Sequence, residues 1–199
     1  MAAKFSDLLS HLSQIMSSAG NAETILGTTV ELIKTALEVE GCSIQLLDPL
    51  DNSLKMKVAL GIPKVEWAKI QVQLGDSISG AVAESGKPIW IKTEEELRRY
   101  KERPSERYPT HSCISIPILI KQALAGVINV NSKSNREDFT EADFDLLVSL
   151  AGLISLTLEN SNLLSASQSI QQRLEHILES LHFGVMTVDR SNVVRHCNK

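Results

Sequence analysis

The chain has 199 residues, 43% hydrophobic and 22% charged, and its 20 basic and 24 acidic side chains give a formal net charge of −4. This composition is ordinary for a soluble globular chain of one domain, or of one domain and part of another. The slight negative charge argues against a broad nucleic-acid surface, so no nucleic-acid partner is expected. No run of about 18 apolar residues is present, so no membrane contact is expected from this chain.

The three cysteines, at positions 42, 113 and 197, are widely spaced and form no CxxC pair. Their spacing indicates neither a disulfide framework nor a zinc site, so we expect no bound metal. The N-terminus also lacks the apolar core and cleavage site of a signal peptide. A cytoplasmic protein is therefore expected.

Apolar residues at helical spacing predict amphipathic helices over residues 4–18 and 22–38. Short alternating runs predict strands over 42–48 and 53–61. Pro63 is expected to open one or two helical turns over 63–69.

Further along, residues 78–85 are expected to form a short helix that ends at Gly86, followed by a strand over 88–91. Residues 93–109 are predicted to be a helix and then a loop. Two strongly apolar strands, 112–120 and 123–131, are expected to meet at a tight turn.

Thr140 and Asp143 have the spacing of a capping box, flanked by Phe139 and Phe144 at the two positions of a hydrophobic staple. A long helix is therefore predicted from residue 141 to about 182. Residues 183–199 alternate like a new hairpin. The whole order indicates an α+β fold around one antiparallel sheet.

On the central strands, polar side chains alternate with isoleucines along the sequence. Successive side chains of a strand point to opposite faces, so the apolar face is expected to meet the helices and the polar face a cavity under residues 62–85 and 93–111. A small polar ligand or ordered water would satisfy such buried groups. A solvated sheet face is the alternative. The candidate pocket residues are Ser43, Gln45, Trp67, Trp90, His111, Cys113, Ser115, Asn129 and Asn131.

The basic cluster at residues 98–108 could form a lid over an anionic ligand, or only a solvated loop with local ion pairs. His111 and Cys113, two residues apart in one strand, could touch a metal or haem, but two ligands alone do not indicate such a site. No Ser-His-Asp, phosphate-loop or paired-acid pattern is present, so no catalytic residue is expected.

The long helix carries a heptad repeat beyond the end of the globular domain. A second copy of the chain is the simplest partner for this stripe, in a parallel homodimer that Asn160 would hold in register. The alternative is packing on the chain's own N-terminal helix, and both arrangements can coexist in a four-helix bundle. The candidate dimer residues are Leu153, Leu156, Asn160, Leu163, Ile170, Leu174 and Ile177.

Four segments in order resemble a GAF domain from about residue 22 to residue 160: GCSIQLLD, LGDSISGAVAESGKPIWI, SCISIPILIKQALAGVINVNSK and DFTEADFDLLVSLAGLISLTLEN. The last residues, HILESLHFGVMTVDRSNVVRHCNK, resemble the first strands of a PAS domain. The resemblance divides the chain into an N-terminal helix (1–20), a GAF-like sensory domain (21–160), a coiled-coil linker (161–182) and the truncated start of a PAS-like domain (183–199).

This resemblance implies a ligand pocket on one face of the sheet and helices on the other. It also implies a sensory module of a bacterial signalling protein, such as a histidine kinase, a diguanylate cyclase or a transcription activator. A dimerisation module without ligand and a free-methionine sulfoxide reductase are the alternatives. That enzyme needs several reactive cysteines, and only Cys42 and Cys113 lie in the domain.

The resemblance does not identify a ligand or cofactor. No bilin or haem motif is evident. In the cyclic-nucleotide signature of the family, Lys133, Phe139 and Asp143 match, whereas Ser132 and Phe144 replace the expected Asn and Glu. The ligand is therefore unknown.

Overall fold

The computed structural model describes residues 22–100, 110–180, 186–189, 191 and 193–197. The helix expected over 4–18 and most of the basic cluster at 98–108 lie outside these ranges. The helices are α1 (Ala22–Leu37), α2 (Lys64–Trp67), α3 (Ser77–Ser85), α4 (Glu94–Arg99) and α5 (Glu141–Ser180). The strands are β1 (Val39–Asp48), β2 (Ser53–Leu60), β3 (Gln71–Gln73), β4 (Ile89–Ile91), β5 (Cys113–Ile120), β6 (Ala123–Lys133), β7 (Met186–Val188) and β8 (Val194–Cys197).

Six strands form one antiparallel sheet in the order β3-β2-β1-β6-β5-β4. β6 therefore pairs on one side with β1, from early in the chain, and on the other side with β5, which directly precedes it. β5 and β6 meet at Lys121 and Gln122, whose φ angles of 49° and 68° are those of a type I′ hairpin turn.

The main core lies between one face of this sheet and helices α1 and α5. Ile44, Ile114 and Ile128 of the sheet are completely buried against Ile33 of α1 and Leu150 of α5. The buried positions are the ones that recur with the strand and helix periods in the sequence. Each amphipathic element buries its apolar face in the core, and this burial stabilises its position. The α+β fold class, with helices on one face of an antiparallel sheet, is confirmed.

Strand β2 differs from the sequence-based expectation. Leu54, Met56 and Val58 alternate with lysines, a spacing that in a regular strand places all three side chains on one face. A bulge at Lys57 pairs Ile44 with Val58 but Gln45 with Met56. The extra residue reverses the alternation, so Val58 packs against the helical core while Met56 lines the opposite face.

The capping box at the start of α5 is present: the Thr140 backbone N–H donates to Asp143 Oδ2 at 2.7 Å, and the Asp143 N–H donates to Thr140 Oγ1 at 3.3 Å. The helix then continues to Ser180. The chain divides into two compact units between Glu159 and Asn160, so the second unit holds the end of α5 and the antiparallel hairpin β7–β8. In the described part of the chain, no helix combines the length and apolar character that a bilayer crossing requires.

Candidate functional site

A cavity of about 240 Å³ lies on the face of the sheet opposite α1 and α5. Seven of the nine side chains predicted for a pocket line it: Ser43, Gln45, His111, Cys113, Ser115, Asn129 and Asn131. They come from β1, β5, β6 and the segment before β5, which the antiparallel register brings side by side. Ser43 pairs with Asn129 across β1 and β6, and Asn129 pairs with Ser115 across β6 and β5.

The roof of the cavity comes from the segments that follow β2 and β4. Ile62, Ile70 and Ile78 line it from the stretch around α2, β3 and α3, and Leu97 lines it from α4. α3 approaches β3 closely at Gly80, whose carbonyl accepts a hydrogen bond from Gly75 N–H at 2.9 Å. A Cβ at position 80 would lie only 2.3 Å from the carbonyl oxygen of Gln73.

Asn129 is the centre of a hydrogen-bonded cluster on the cavity floor. Its Oδ1 accepts from Ser79 Oγ at 3.0 Å and from Ser115 Oγ at 2.5 Å. Its Nδ2 makes a long contact, 3.5 Å, with Ser43 Oγ. The cluster therefore ties the sheet to the roof helix α3. Ser79 was not among the predicted residues, although its place in a short helix between two glycines was visible in the sequence.

Gln45 lies beside this cluster and is only 5% exposed. Its Oε1 is buried and has no hydrogen-bond partner in the described part of the chain. Leaving a buried acceptor unsatisfied costs about 1–3 kcal/mol, so nearly all such groups in folded proteins have a partner.

Ser132 holds the rim of the cavity. This buried residue adopts a φ of 43°, and its hydroxyl donates to the Thr110 carbonyl at 2.9 Å while accepting from the Thr110 N–H at 3.1 Å. Its own N–H donates to the Ser112 carbonyl at 3.1 Å. Thr110 and Ser112 both line the cavity. The sequence showed Ser132 only as a departure from a family signature, so this role was missed.

The electrostatic character of the site follows from its lining. Among the described lining residues there is no Asp, Glu, Lys or Arg. His111 lies at the rim, 3.7 Å from Glu94 Oε2 and 45% exposed. Burial raises the pKa of the Cys42 thiol to about 12, with a smaller contribution from Glu31, so this thiol stays protonated at neutral pH.

The two tryptophans predicted for the pocket are not part of it, and both assignments are corrected. Trp90 pairs with Ile114 across β4 and β5 and therefore points to the helical face, where it stacks on Phe144 with ring centroids 5.8 Å apart. Trp67 donates its Nε1–H to the Ile62 carbonyl at 3.0 Å and is not among the side chains that line the cavity.

The described part of the chain contains no candidate metal site: no group of three or more His, Cys, Asp or Glu side chains there is placed to hold a metal ion. His111 and Cys113 both line the cavity, but within the described residues they belong to no such group of three.

The model of the GAF domain family matches residues 21–158, which is more than half of the chain. The chain belongs to the GAF family. The cavity lies on the sheet face that the GAF resemblance predicted for the pocket. GAF domains are typical of sensory and regulatory proteins.

Nitrogen fixation protein VnfA of Azotobacter vinelandii is 25% identical over 149 residues. The match covers 72% of this chain but only 28% of VnfA, so the chain spans less than a third of that relative.

Two solved GAF-fold structures show the same architecture. The GAF domain of the Acinetobacter phosphoenolpyruvate-protein phosphotransferase is 23% identical, with a TM-score of 0.68 over 78% of this chain and 93% of that one. The free methionine-R-sulfoxide reductase of Neisseria meningitidis, solved with its substrate, is 17% identical, with a TM-score of 0.66 over 79% of this chain and 90% of that one. At these identities the likeness shows the fold alone.

Proposed function

We propose that this GAF domain is a cytoplasmic sensory input module that binds a small molecule in the cavity of about 240 Å³. The observation that carries the proposal is Gln45, which lines the cavity and whose buried Oε1 has no hydrogen-bond partner in the described chain. A bound molecule with a hydrogen-bond donor would satisfy this oxygen. A module that served only for dimerisation would gain nothing from such a group.

The signal passes to a homodimer interface on α5. Leu163 and Ile170, one heptad apart, are 57% and 62% exposed, and Leu156 and Ile177 continue the same stripe in both directions. A lone helix that exposes such a row of apolar side chains to water is marginal, whereas a second copy of the helix buries them. Asn160 favours a parallel, in-register pair because its side chain then meets its own equivalent.

Downstream of α5, the chain enters a second domain. The hairpin from Met186 to Cys197 lies in the stretch that resembles the start of a PAS domain. A GAF domain, a dimeric helix and a PAS domain form the input half of a histidine kinase, a diguanylate cyclase or a transcription activator. The match to a part of VnfA agrees with a module of a longer signalling protein.

The reductase alternative has weaker support. Its chemistry needs a thiolate that attacks a sulfoxide, and a low thiol pKa favours that step. The pKa of Cys42 is instead raised to about 12 by burial. We therefore assign the function to binding and transmission rather than to the reductase reaction.

Native mass spectrometry of the protein purified from cells tests the binding function. We expect an additional small mass on each protomer. A Ser79→Leu variant, which places an apolar side chain in the cavity beside Asn129, should lose it. Ser85→Leu is the matched control, because Ser85 lies exposed on the same helix. A bare protomer in every preparation would favour the dimerisation module without ligand.

A further inference from the structure

The hydrogen-bonding groups of the cavity restrict what it can bind. Gln45 supplies an acceptor. Its neighbours across the sheet are Met56 on β2 and Val127 on β6, and neither side chain has a donor. Gln45 is nine-tenths buried and lines the cavity, so a donor on a molecule bound in the cavity would satisfy its Oε1.

Asn129 supplies a donor. Its Oδ1 already accepts two hydroxyl hydrogens, from Ser79 and Ser115, and an amide oxygen has two lone pairs. Its Nδ2 has two hydrogens, and in the described part of the chain its one hydrogen-bond contact is a long one, to Ser43 Oγ at 3.5 Å. Since Ser43 pairs with Asn129, Gln45 is the diagonal neighbour of Asn129, at a Cα separation of roughly 7–8 Å. One small molecule can reach both amides.

The described part of the lining offers no oppositely charged partner to an ionised ligand. No Asp, Glu, Lys or Arg lines the described cavity, and an ionised group is costly to bury without an opposite charge. One wall is apolar and consists of Met56, Leu60, Ile62, Ile70, Ile78 and Leu97. The volume of about 240 Å³ corresponds to roughly eight water molecules, which is below the range of drug-sized pockets.

We propose that the cavity recognises a small uncharged molecule of the amide or lactam class, a conclusion that rests on the proposed binding function. Its N–H donates to Gln45 Oε1, its carbonyl accepts from Asn129 Nδ2, and its apolar part packs on the wall of Met56 and the isoleucines. Gln45 is the residue that determines specificity for a donor.

Three probes of nearly equal shape test this assignment on the 199-residue chain. Benzamide is neutral and carries both donor and acceptor, acetophenone is neutral without the donor, and benzoate is charged. Ligand-observed NMR titration should show saturable benzamide binding that is roughly tenfold tighter than that of either other probe, since one unsatisfied buried group costs about 1–3 kcal/mol and each 1.4 kcal/mol is a factor of about ten. Equal or tighter binding of benzoate or acetophenone overturns the assignment, and so does the absence of saturable benzamide binding at millimolar concentration.

A variant locates the selectivity. Gln45→Met keeps the length of the side chain and removes the acceptor, so the preference for benzamide over acetophenone should disappear. Gln73→Met, on the exposed side of β3, should keep it. If the preference for benzamide survives in Gln45→Met, another group of the protein accepts the hydrogen bond from the amide N–H. That result would overturn the role of Gln45.

Two further measurements separate this inference from the proposed function. Gln45→Met should unfold at the same temperature as the original chain or higher, because it removes an unsatisfied buried oxygen; a large decrease would mean that Gln45 is satisfied within the fold and would overturn its role. If native mass spectrometry finds a bound ligand that is charged or has no donor, binding stands and the amide assignment fails. If it finds no ligand in any preparation, the proposed function itself fails.

Discussion

The ammonium of Lys133 lies 2.6 Å from Asp143 Oδ2 and joins the last residue of β6 to the first turn of α5. Both side chains are largely buried, at 12% and 14% exposed. The same carboxylate accepts hydrogen bonds from the N–H and the hydroxyl of Thr140. Lys133, Phe139 and Asp143 of the partial cyclic-nucleotide signature thus meet at the helix cap, and none of the three is among the side chains that line the cavity.

Breaking this pair should lower stability in a pH-dependent way. Burial acts to raise the pKa of Asp143, but the hydrogen bonds from Lys133 and Thr140 outweigh it, so the pKa lies below its usual value of 3.8. A depressed folded-state pKa stabilises the fold above the unfolded pKa, and this contribution is lost as the pH falls through the folded pKa. Lys133→Met should cost roughly 1–3 kcal/mol at neutral pH.

Urea unfolding of Lys133→Met at neutral pH and at about pH 3 checks this expectation. The difference from the original chain should narrow at the acidic pH. Lys34→Met is the control, because Lys34 is half exposed and its contact with Glu31 is 3.8 Å long; exposed pairs contribute about 0–1 kcal/mol. An equal effect of both variants would contradict a special role for the Lys133 pair.

Removing the cap of α5 should also weaken the fold. Thr140→Ala deletes the hydroxyl that accepts from the Asp143 N–H. The expected loss is about 1 kcal/mol in the free energy of unfolding, because a helix N–H is left without its partner. Thr140→Ser keeps the hydroxyl and should unfold near the original midpoint. An unchanged midpoint for Thr140→Ala would count against the capping box.

The close approach of α3 to β3 should not tolerate a side chain at Gly80. The Cβ of Gly80→Ala would lie 2.3 Å from a backbone oxygen, so the roof helix has to shift. We expect a loss of roughly 1–3 kcal/mol and a change in the cavity. Gly27→Ala, in α1, meets nothing within 4 Å and should stabilise by about 0.5–1 kcal/mol. Thermal unfolding compares the two, and a neutral Gly80→Ala would show that the roof yields freely.

The homodimer should depend on the exposed stripe of α5. At micromolar concentration we expect the original chain to sediment as a dimer, and Leu163→Asp with Ile170→Asp to sediment as a monomer, because two buried charges would face their own equivalents. Ser165→Asp with Gln172→Asp adds the same charge on the outer face of the helix and should remain dimeric. A monomeric original chain, or a dimer that tolerates the Leu163 and Ile170 changes, would refute the interface.

The Cys42 thiol should make stability fall at alkaline pH. Its pKa is raised from 9.0 to about 12. A raised folded-state pKa means that the unfolded thiol ionises first, so the stabilisation is complete below pH 9 and decreases toward pH 12. Between about pH 8 and about pH 10.5, the original chain should lose more stability than Cys42→Ala. Parallel urea midpoints across this range would remove Cys42 as the cause.

Local features of this fold could be predicted because neighbouring residues determine them. The buried face of α1, the αL cap at Gly86 and the turn at Lys121 all follow from short-range spacing and from backbone preferences. The sequence also predicts that Ser43 and Asn129 lie on the polar side of their own strands, because successive side chains of a strand point to opposite faces.

Only the tertiary structure decided whether a given side of a strand contacts the helices or the cavity. Trp90 has the parity expected from its sequence, but the pairing of Ile91 with Cys113 turns it toward α5 instead of the cavity. The bulge at Lys57 places Met56 beside Gln45, and the left-handed backbone of Ser132 brings its hydroxyl to Thr110. These three results depend on how strands and loops pair with one another, which the pattern within a single strand does not specify. Periodicity shows which side chains point together, whereas only the pairing of strands and the packing around them determines what they meet.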